Sequence, residues 1–263
     1  MGLFPYIGGD GQFIKVLKNY LVKSNIFIEL FGGAGTATLY VAENRLANKI
    51  IWNDLDDLIY AAFYVVKYYP EQIWTIQKIL NSISRFIEKD ERIKVKKMLQ
   101  KIRYALDKGI VKDIVKKGIW TIVYYHACHC WRSGPMLRWV DFPDRYKSIY
   151  KYLFKYHQLL QNVEIYNCDY KEILEKYINN DDVLIYIDPP HTGKHYYRVE
   201  NVNLHKLARY LENPRAKILV KASLQDKPLL ELEKRGFKRI DVKFTLNTSH
   251  KKEGLTYILL KNY

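Results

Sequence analysis

IFIELFGGAGTATLYVAENRLANKIIWND, residues 26–54, is the stretch on which the fold turns. Ile26–Leu30 is a short β-rich run. Phe31-Gly32-Gly33-Ala34-Gly35 ends it, residues 36–47 have a helical pattern, and Lys49–Asn53 is a second strand that closes on Asp54. Strand, glycine-rich turn, helix and strand in that order form one βαβ unit. In sheets built from such units, ligands bind at the carboxyl ends of the strands. The turn and Asp54 therefore belong to the ligand end. Glycines let a backbone approach a ligand closely. Asp54 follows Gly35 by 19 residues, close to the ~20 expected of an acid that accepts hydrogen bonds from ribose hydroxyls. Taken alone, the glycines read equally as a tight strand-to-helix turn. No Gly-Lys-Ser/Thr follows, so this is no P-loop, and a nucleoside cofactor without a polyphosphate is expected.

Outward from that unit, residues 12–24 predict an amphipathic helix with Phe13, Val16, Leu17, Tyr20 and Leu21 on one face. From about residue 55 to 160 the pattern is mostly helical. Strand-like segments return at 163–167, 183–187 and 217–221, and 238–244 with 255–260 reads as a terminal antiparallel pair around a polar, mobile loop at 245–254. No internal repeat is visible. The expected fold class is α/β, a largely parallel Rossmann-like sheet of about seven strands with a C-terminal antiparallel hairpin and a mostly helical inserted domain. The expected division is 1–60 with 161–263 as one unit and 61–160 as the insertion.

The chain has 263 residues, 43 Lys plus Arg against 28 Asp plus Glu, and a net charge of +15. Such a balance favours polyanionic partners. Tyrosine is abundant at 23 copies, and aromatics with positive charge suit a surface that stacks bases and holds phosphates. No apolar run reaches the ~18 residues of a membrane span. A basic stretch followed by an apolar one is missing from the N-terminus, which argues against secretion. Three cysteines make no disulfide framework, and 48% hydrophobic residues argue against disorder. The expected location is cytoplasmic.

Val183–Ile187 runs into Asp188-Pro189-Pro190-His191. Proline fixes φ and pushes the preceding residue toward extended geometry. The Asp188 carboxylate and Pro189 carbonyl then leave the sheet edge together. Two convergent acceptors suit an exocyclic amine with two N–H donors. The plainer reading is a rigid loop with Asp188 as a helix cap.

These motifs together resemble the DNA adenine-N6 methyltransferases of the D12 class, the group that includes Dam, over almost the whole chain. Tyr6-Ile7-Gly8-Gly9 resembles the N-terminal motif contacting the methionine part of S-adenosylmethionine. Phe31–Gly35, followed by Thr36, resembles the cofactor loop, and Asn53-Asp54 the acidic ribose position. Asp169-Tyr170 is similar to the pair flanking the cofactor adenine. Asp188, Pro189, Pro190 and His191 are similar to the catalytic Asp-Pro-Pro-Tyr motif, and Asn262-Tyr263 to the usual ending. The resemblance implies S-adenosylmethionine as cofactor, no metal, and methyl transfer to N6 of an adenine flipped out of double-stranded DNA. A restriction-nuclease partner is not inferable from it.

Two positions depart from that pattern. His191 stands where Tyr or Phe stacks on the flipped base; if imidazole stacks there, His191→Tyr should work as well or better. Asp10 stands where a Lys follows the Gly-Gly pair. These departures keep a second class open, a DNA-binding protein on a disabled methyltransferase scaffold. An amino methyltransferase acting on RNA or on cytosine N4 is a third reading.

The DNA contacts are expected in the insertion. Residues 94–117 carry nine Lys/Arg against Asp107 and Asp113, with Lys94, Lys96, Lys97, Lys101 and Arg103 as candidates for phosphate contact. A solvated helix face is the plainer alternative. Arg132, Ser133, Arg138 and Trp139 lie in an aromatic stretch punctuated by Gly and Pro, suited to base edges or phosphates. His126, Cys128, His129 and Cys130 look metal-like, but the spacing lacks a second ligand pair and reads as packing or surface chemistry.

Overall fold

All five residues of Val183–Ile187 are buried. Only a strand covered on both faces needs so continuous an apolar run. That strand, β4, is central to a seven-stranded sheet. The others are β1 (Ser24–Glu29), β2 (Ala47–Asn53), β3 (Val163–Tyr166), β5 (Lys217–Ala222), β6 (Lys238–Asn247) and β7 (Lys252–Lys261). The computed structural model describes residues 2–5, 13–89, 91–128, 148–192, 198–199, 202–247 and 252–263. Strand order is β3-β2-β1-β4-β5-β7-β6. β3 through β5 are parallel; β7 is antiparallel to both β5 and β6. The expected α/β class, strand number and antiparallel edge are all present.

Alternate residues along each strand face opposite layers. Phe27, Trp52, Leu184, Tyr186, Leu219 and Leu259 join one apolar cluster. Ile28, Ile51, Ile185, Val220 and Leu260 join the other. The second layer contains α8 (Tyr170–Tyr177), α9 (Leu204–Tyr210) and α10 (Lys227–Leu230), with a 3-10 turn at Glu231–Arg235. The first contains α1 (Ile14–Leu17), α2 (Thr36–Glu43), α3 (Asp57–Tyr68), α4 (Gln72–Glu88), α5 (Arg92–Asp107), α6 (Ile114–Ala127) and α7 (Ile149–Leu160). The interval between β2 and β3 is thus helical among the described residues, and its apolar faces join the sheet's own core. Trp52 stacks on Phe63 of α3 at 3.9 Å. Gly118 lets α6 lie directly on α3, because a Cβ there would overlap the Ala61 carbonyl. Asp56 and Asp113 cap α3 and α6 by accepting from Leu58 N and Lys116 N.

Two expectations are corrected. The helix expected over 12–24 is four residues long, because the chain must turn into β1, where Ser24 N bonds Leu46 O at 3.0 Å. Leu17 and Leu21 still bury, so the apolar spacing was a packing signal more than a helix signal. Within the loop expected over 245–254, the described residues 245–247 and 252–254 are strand: pairing continues to Asn247 opposite Lys252. β6 is an edge strand, and backbone pairing there needs no alternating apolar side chains.

Candidate active site

The sheet order reverses between β1 and β4. β1 leads outward through β2 to β3, and β4 leads the other way to β5. Such a switch point opens a crevice at the carboxyl ends of the strands. Phe31–Gly35 leaves β1 there and Asp188–His191 leaves β4. A cavity fills the crevice. Its lining includes Glu29, Phe31, Gly32, Gly33, Ala34, Gly35, Thr36, Asn53, Asp54, Asp56, Asp169, Tyr170, Asp188 and Pro190.

The glycine turn has to be glycine. Gly35 sits at φ +69, and a side chain on it would meet the Phe63 ring. Gly32 lies against the Trp52 indole, with no room for a Cβ. The turn is tied to its neighbours: Gly32 N bonds Asn53 O at 2.7 Å, and Leu3 N bonds Ala34 O at 2.7 Å. Asp54 accepts from Gly33 N at 2.7 Å and from Asp56 N at 2.8 Å. One lone pair on each oxygen is engaged, and the residue keeps some open surface on the cavity. Burial, reinforced by the nearby Asp56 charge, pushes its pKa up to about 7. Glu29, only 3% exposed, accepts from Thr38 N at 2.8 Å and so joins the end of β1 to the first turn of α2.

Phe31 and Tyr170 form the apolar wall, their rings 5.3 Å apart and tilted by 40°. Asp169 caps α8 in a capping box with Glu172, and its other oxygen lies 3.2 Å from Lys171 Nζ. Asn53 links the strand ends, donating to Leu30 O and Cys168 O and accepting from Cys168 N. Arg198 bonds Asp56 and Asp57 at the start of α3, bringing Val199 and Val202 to the cavity.

Asp188 is held from two sides. Lys221, the fifth residue of β5 and 1% exposed, donates to Asp188 Oδ2 at 2.9 Å. Its ammonium lies 4.8 Å from the Phe13 ring centre and 4.9 Å from that of Tyr257. On the other side, His191 Nε2 is 3.6 Å from Asp188 Oδ1. His191 is 8% exposed, and its Nδ1 lies 2.8 Å from Asp226 Oδ2. Asp226, fully buried, also accepts from Thr192 N, Ser223 N and the Ser223 hydroxyl, each at 2.8 Å. Burial opposes its ionisation, but the bonds from His191, Thr192 and Ser223 hold its carboxyl well below the usual range.

No family model matches the sequence, and no curated protein does. Among solved structures, a Streptococcus mutans protein described as a methyltransferase, in complex with SAH, is similar at TM-score 0.40 and 13% identity over 94% of this chain and 97% of that one. An rRNA methylase from Streptococcus thermophilus is similar at TM-score 0.37 and 9% identity, over 95% and 97% of the two chains. Precorrin-6y C5,15-methyltransferase from Geobacter metallireducens gives TM-score 0.37 and 10% identity, over 95% and 86%. These are remote likenesses.

The cavity gathers most of the cofactor and catalytic residues expected from sequence: the turn through Thr36, Asp54, Asp169, Tyr170, Asp188 and Pro190. Pro189 is buried beside it, and His191 is turned away into the Asp226 pocket, so its ring is no open stacking face. Tyr6, Gly8, Gly9, Asp10, Arg132, Ser133, Arg138, Trp139, His129 and Cys130 lie outside the described residues. Lys94, Lys96, Lys97 and Lys101 are exposed on α5, Arg103 is half-buried beside Asp107, and none of the five lines the cavity. Cys128 is buried at the end of α6, as packing requires. Among the described residues no His, Cys, Asp or Glu cluster is arranged to hold a metal, and no helix is long and apolar enough to cross a membrane.

Sequence reasoning missed Glu29, Arg198, Lys221 and Asp226. Signals existed for two of them. A lysine inside the apolar run KILVKA is out of place unless paired, and Asp226 one residue before Lys227-Pro228 has the look of a helix cap. Neither signal names the partner.

Proposed function

We propose that the chain is an S-adenosylmethionine-dependent methyltransferase acting on an exocyclic amine of a nucleobase, N6 of a flipped-out adenine in double-stranded DNA. One observation carries the reading. Asp188 and Pro190, ending β4, line the same cavity as the glycine turn, Asp54 and Tyr170.

The residues fit the cofactor. Carboxylates of Glu29, Asp54, Asp56, Asp169 and Asp188 border the cavity and outnumber the ammonium groups of Lys171 and Lys206, an acidic excess that favours a cation such as a sulfonium. The glycine turn has no lysine to meet a polyphosphate. Asp54 has lone pairs left for ribose hydroxyls, and Phe31 with Tyr170 supplies an apolar aromatic wall. S-adenosylmethionine supplies an electrophilic methyl group. The protein orients the nucleophile: the Asp188 carboxylate and Pro189 carbonyl accept the amine's N–H groups, which directs its lone pair toward the cavity. The helical interval 61–160, with the basic face of α5, would hold the duplex.

A second reading, a nucleic-acid-binding scaffold that does not methylate, is favoured by the Lys221 ammonium occupying one Asp188 oxygen. An amine of RNA or cytosine N4 is open to the same geometry. Incubation with labelled S-adenosylmethionine and mixed-sequence DNA or RNA, followed by mapping of modified bases, separates these readings. Methylated adenine in DNA is the expected result. Label confined to RNA or cytosine moves the substrate. Cofactor and DNA binding without label selects the second reading.

A further inference from the structure

The Asp226–His191–Asp188 chain is more than the function above requires. Amine methylation leaves a proton to dispose of. The nitrogen takes the methyl group, the carbon–sulfur bond breaks with its electron pair left on sulfur, and the nitrogen holds a positive charge until one N–H proton departs. We propose that His191, oriented by Asp226, is the acceptor of that proton, which reaches His191 Nε2 along the Asp188 carboxylate. The inference rests on the methyltransferase reading.

The geometry supplies each requirement. Asp226 has four donors around it, His191 Nδ1 among them, so it is an acceptor and Nδ1 carries the hydrogen. The Nε2 lone pair is then left facing Asp188 Oδ1 at 3.6 Å. Lys221 donates to Asp188 Oδ2, a charge pairing that favours the carboxylate over the acid and so makes it a conduit for the proton more than a store. Tyr257 of β7 also faces the imidazole, ring centre to ring centre 5.8 Å. With a neutral imidazole, the cluster of Lys221, Asp188, His191 and Asp226 has one net negative charge, which attracts an incoming proton. His191 acts through Asp188, and Asp226 through His191; neither touches the amine.

Single-turnover methylation at saturating cofactor, followed across pH for the wild type, His191→Gln and Asp226→Asn, tests this, together with ¹⁵N-histidine NMR of the free protein. The wild-type rate should fall on the acid side, because a base acts only when unprotonated. His191→Gln should abolish that limb and slow transfer by roughly 100-fold while still binding cofactor by calorimetry. NMR should find His191 as the Nδ1–H tautomer, with a displaced Nδ1 signal in Asp226→Asn. His191→Tyr should also fail, opposite to the outcome if residue 191 stacked on the base. An Nε2–H tautomer, a flat wild-type profile, or a His191→Gln chain that keeps rate and limb each overturns the inference and leaves the methyltransferase reading standing. Should His191→Gln not fold, the wild-type profile and tautomer decide. A wild-type chain that methylates nothing overturns that reading and this inference with it.

Discussion

Lys221 Nζ lies 2.9 Å from Asp188 Oδ2, a buried ammonium at the end of β5 meeting a carboxylate at the end of β4. Neither strand advertises the other. Adjacent parallel strands bring them side by side, with Leu184 opposite Lys217 in register. The pairing favours the carboxylate form of Asp188, yet it also takes up one of that group's acceptor sites.

Removing one partner of such a pair leaves a charge without compensation. Lys221→Met should therefore destabilise the fold by about 3 kcal/mol, read from urea denaturation. Lys221→Arg should recover part of that loss. A methionine variant as stable as the wild type would show that the pair contributes nothing.

On the proposed reading, Asp54 makes cofactor binding depend on pH. Its folded pKa is raised to about 7, so the carboxylate is present above that value and is protonated below it. Ribose hydroxyls donate to the ionised form. Calorimetry with S-adenosylmethionine should find affinity highest near pH 8 and falling by up to about tenfold per unit below 7. Asp54→Asn should bind weakly at pH 8 and show no such slope. The stability linkage runs the other way: a raised carboxyl pKa means the folded state holds its proton more tightly, so this group's contribution grows as pH falls from 7 toward 4.

Gly32→Ala should damage both packing and binding. The added Cβ would overlap the Trp52 indole, and Trp52 is itself stacked on Phe63 in the core. Overpacking of this kind costs about 1–3 kcal/mol and displaces the turn that faces the cavity. A lowered melting temperature with weakened cofactor binding is the expected pair of results.

The basic face of α5 should act through phosphates. DNA affinity should fall steeply with salt, and joint replacement of Lys94, Lys97 and Lys101 by Ala should flatten the log–log slope by roughly 1 for each lysine that neutralised a phosphate. Lys117, engaged with Asp57 at 2.7 Å, should change fold stability instead when replaced. Filter binding over a salt series measures the slope, and urea denaturation the stability.

Some parts of the site were legible because they depend on local chain geometry. A glycine turn after an apolar strand, an acid 19 residues later and an Asp-Pro-Pro after another strand each encode a backbone shape and a side-chain type, and all three meet in one cavity. Lys221, Asp226 and Arg198 were not legible in that way. Lys221 reads as an exception in a strand, Asp226 as a cap, Arg198 as one more basic residue. His191 was read as a stacking ring because its position in the motif suggests one, and that reading could not include an Asp226 thirty-five residues away.

Sequence by itself determined the α/β class, the seven strands, the hairpin edge and the two turns that enter the crevice, because hydrophobic period, glycine and proline act within a few residues of themselves. It also determined the positive charge, a matter of counting. Tertiary structure alone decided what each charged side chain faces. Strand order sets Lys221 beside Asp188, the return of the chain after β5 sets Asp226 behind His191, and the segment after β4 carries Arg198 to the start of α3. Hydrogen bonds and ion pairs act over a few ångströms, and a linear sequence does not record which distant residues come within that reach.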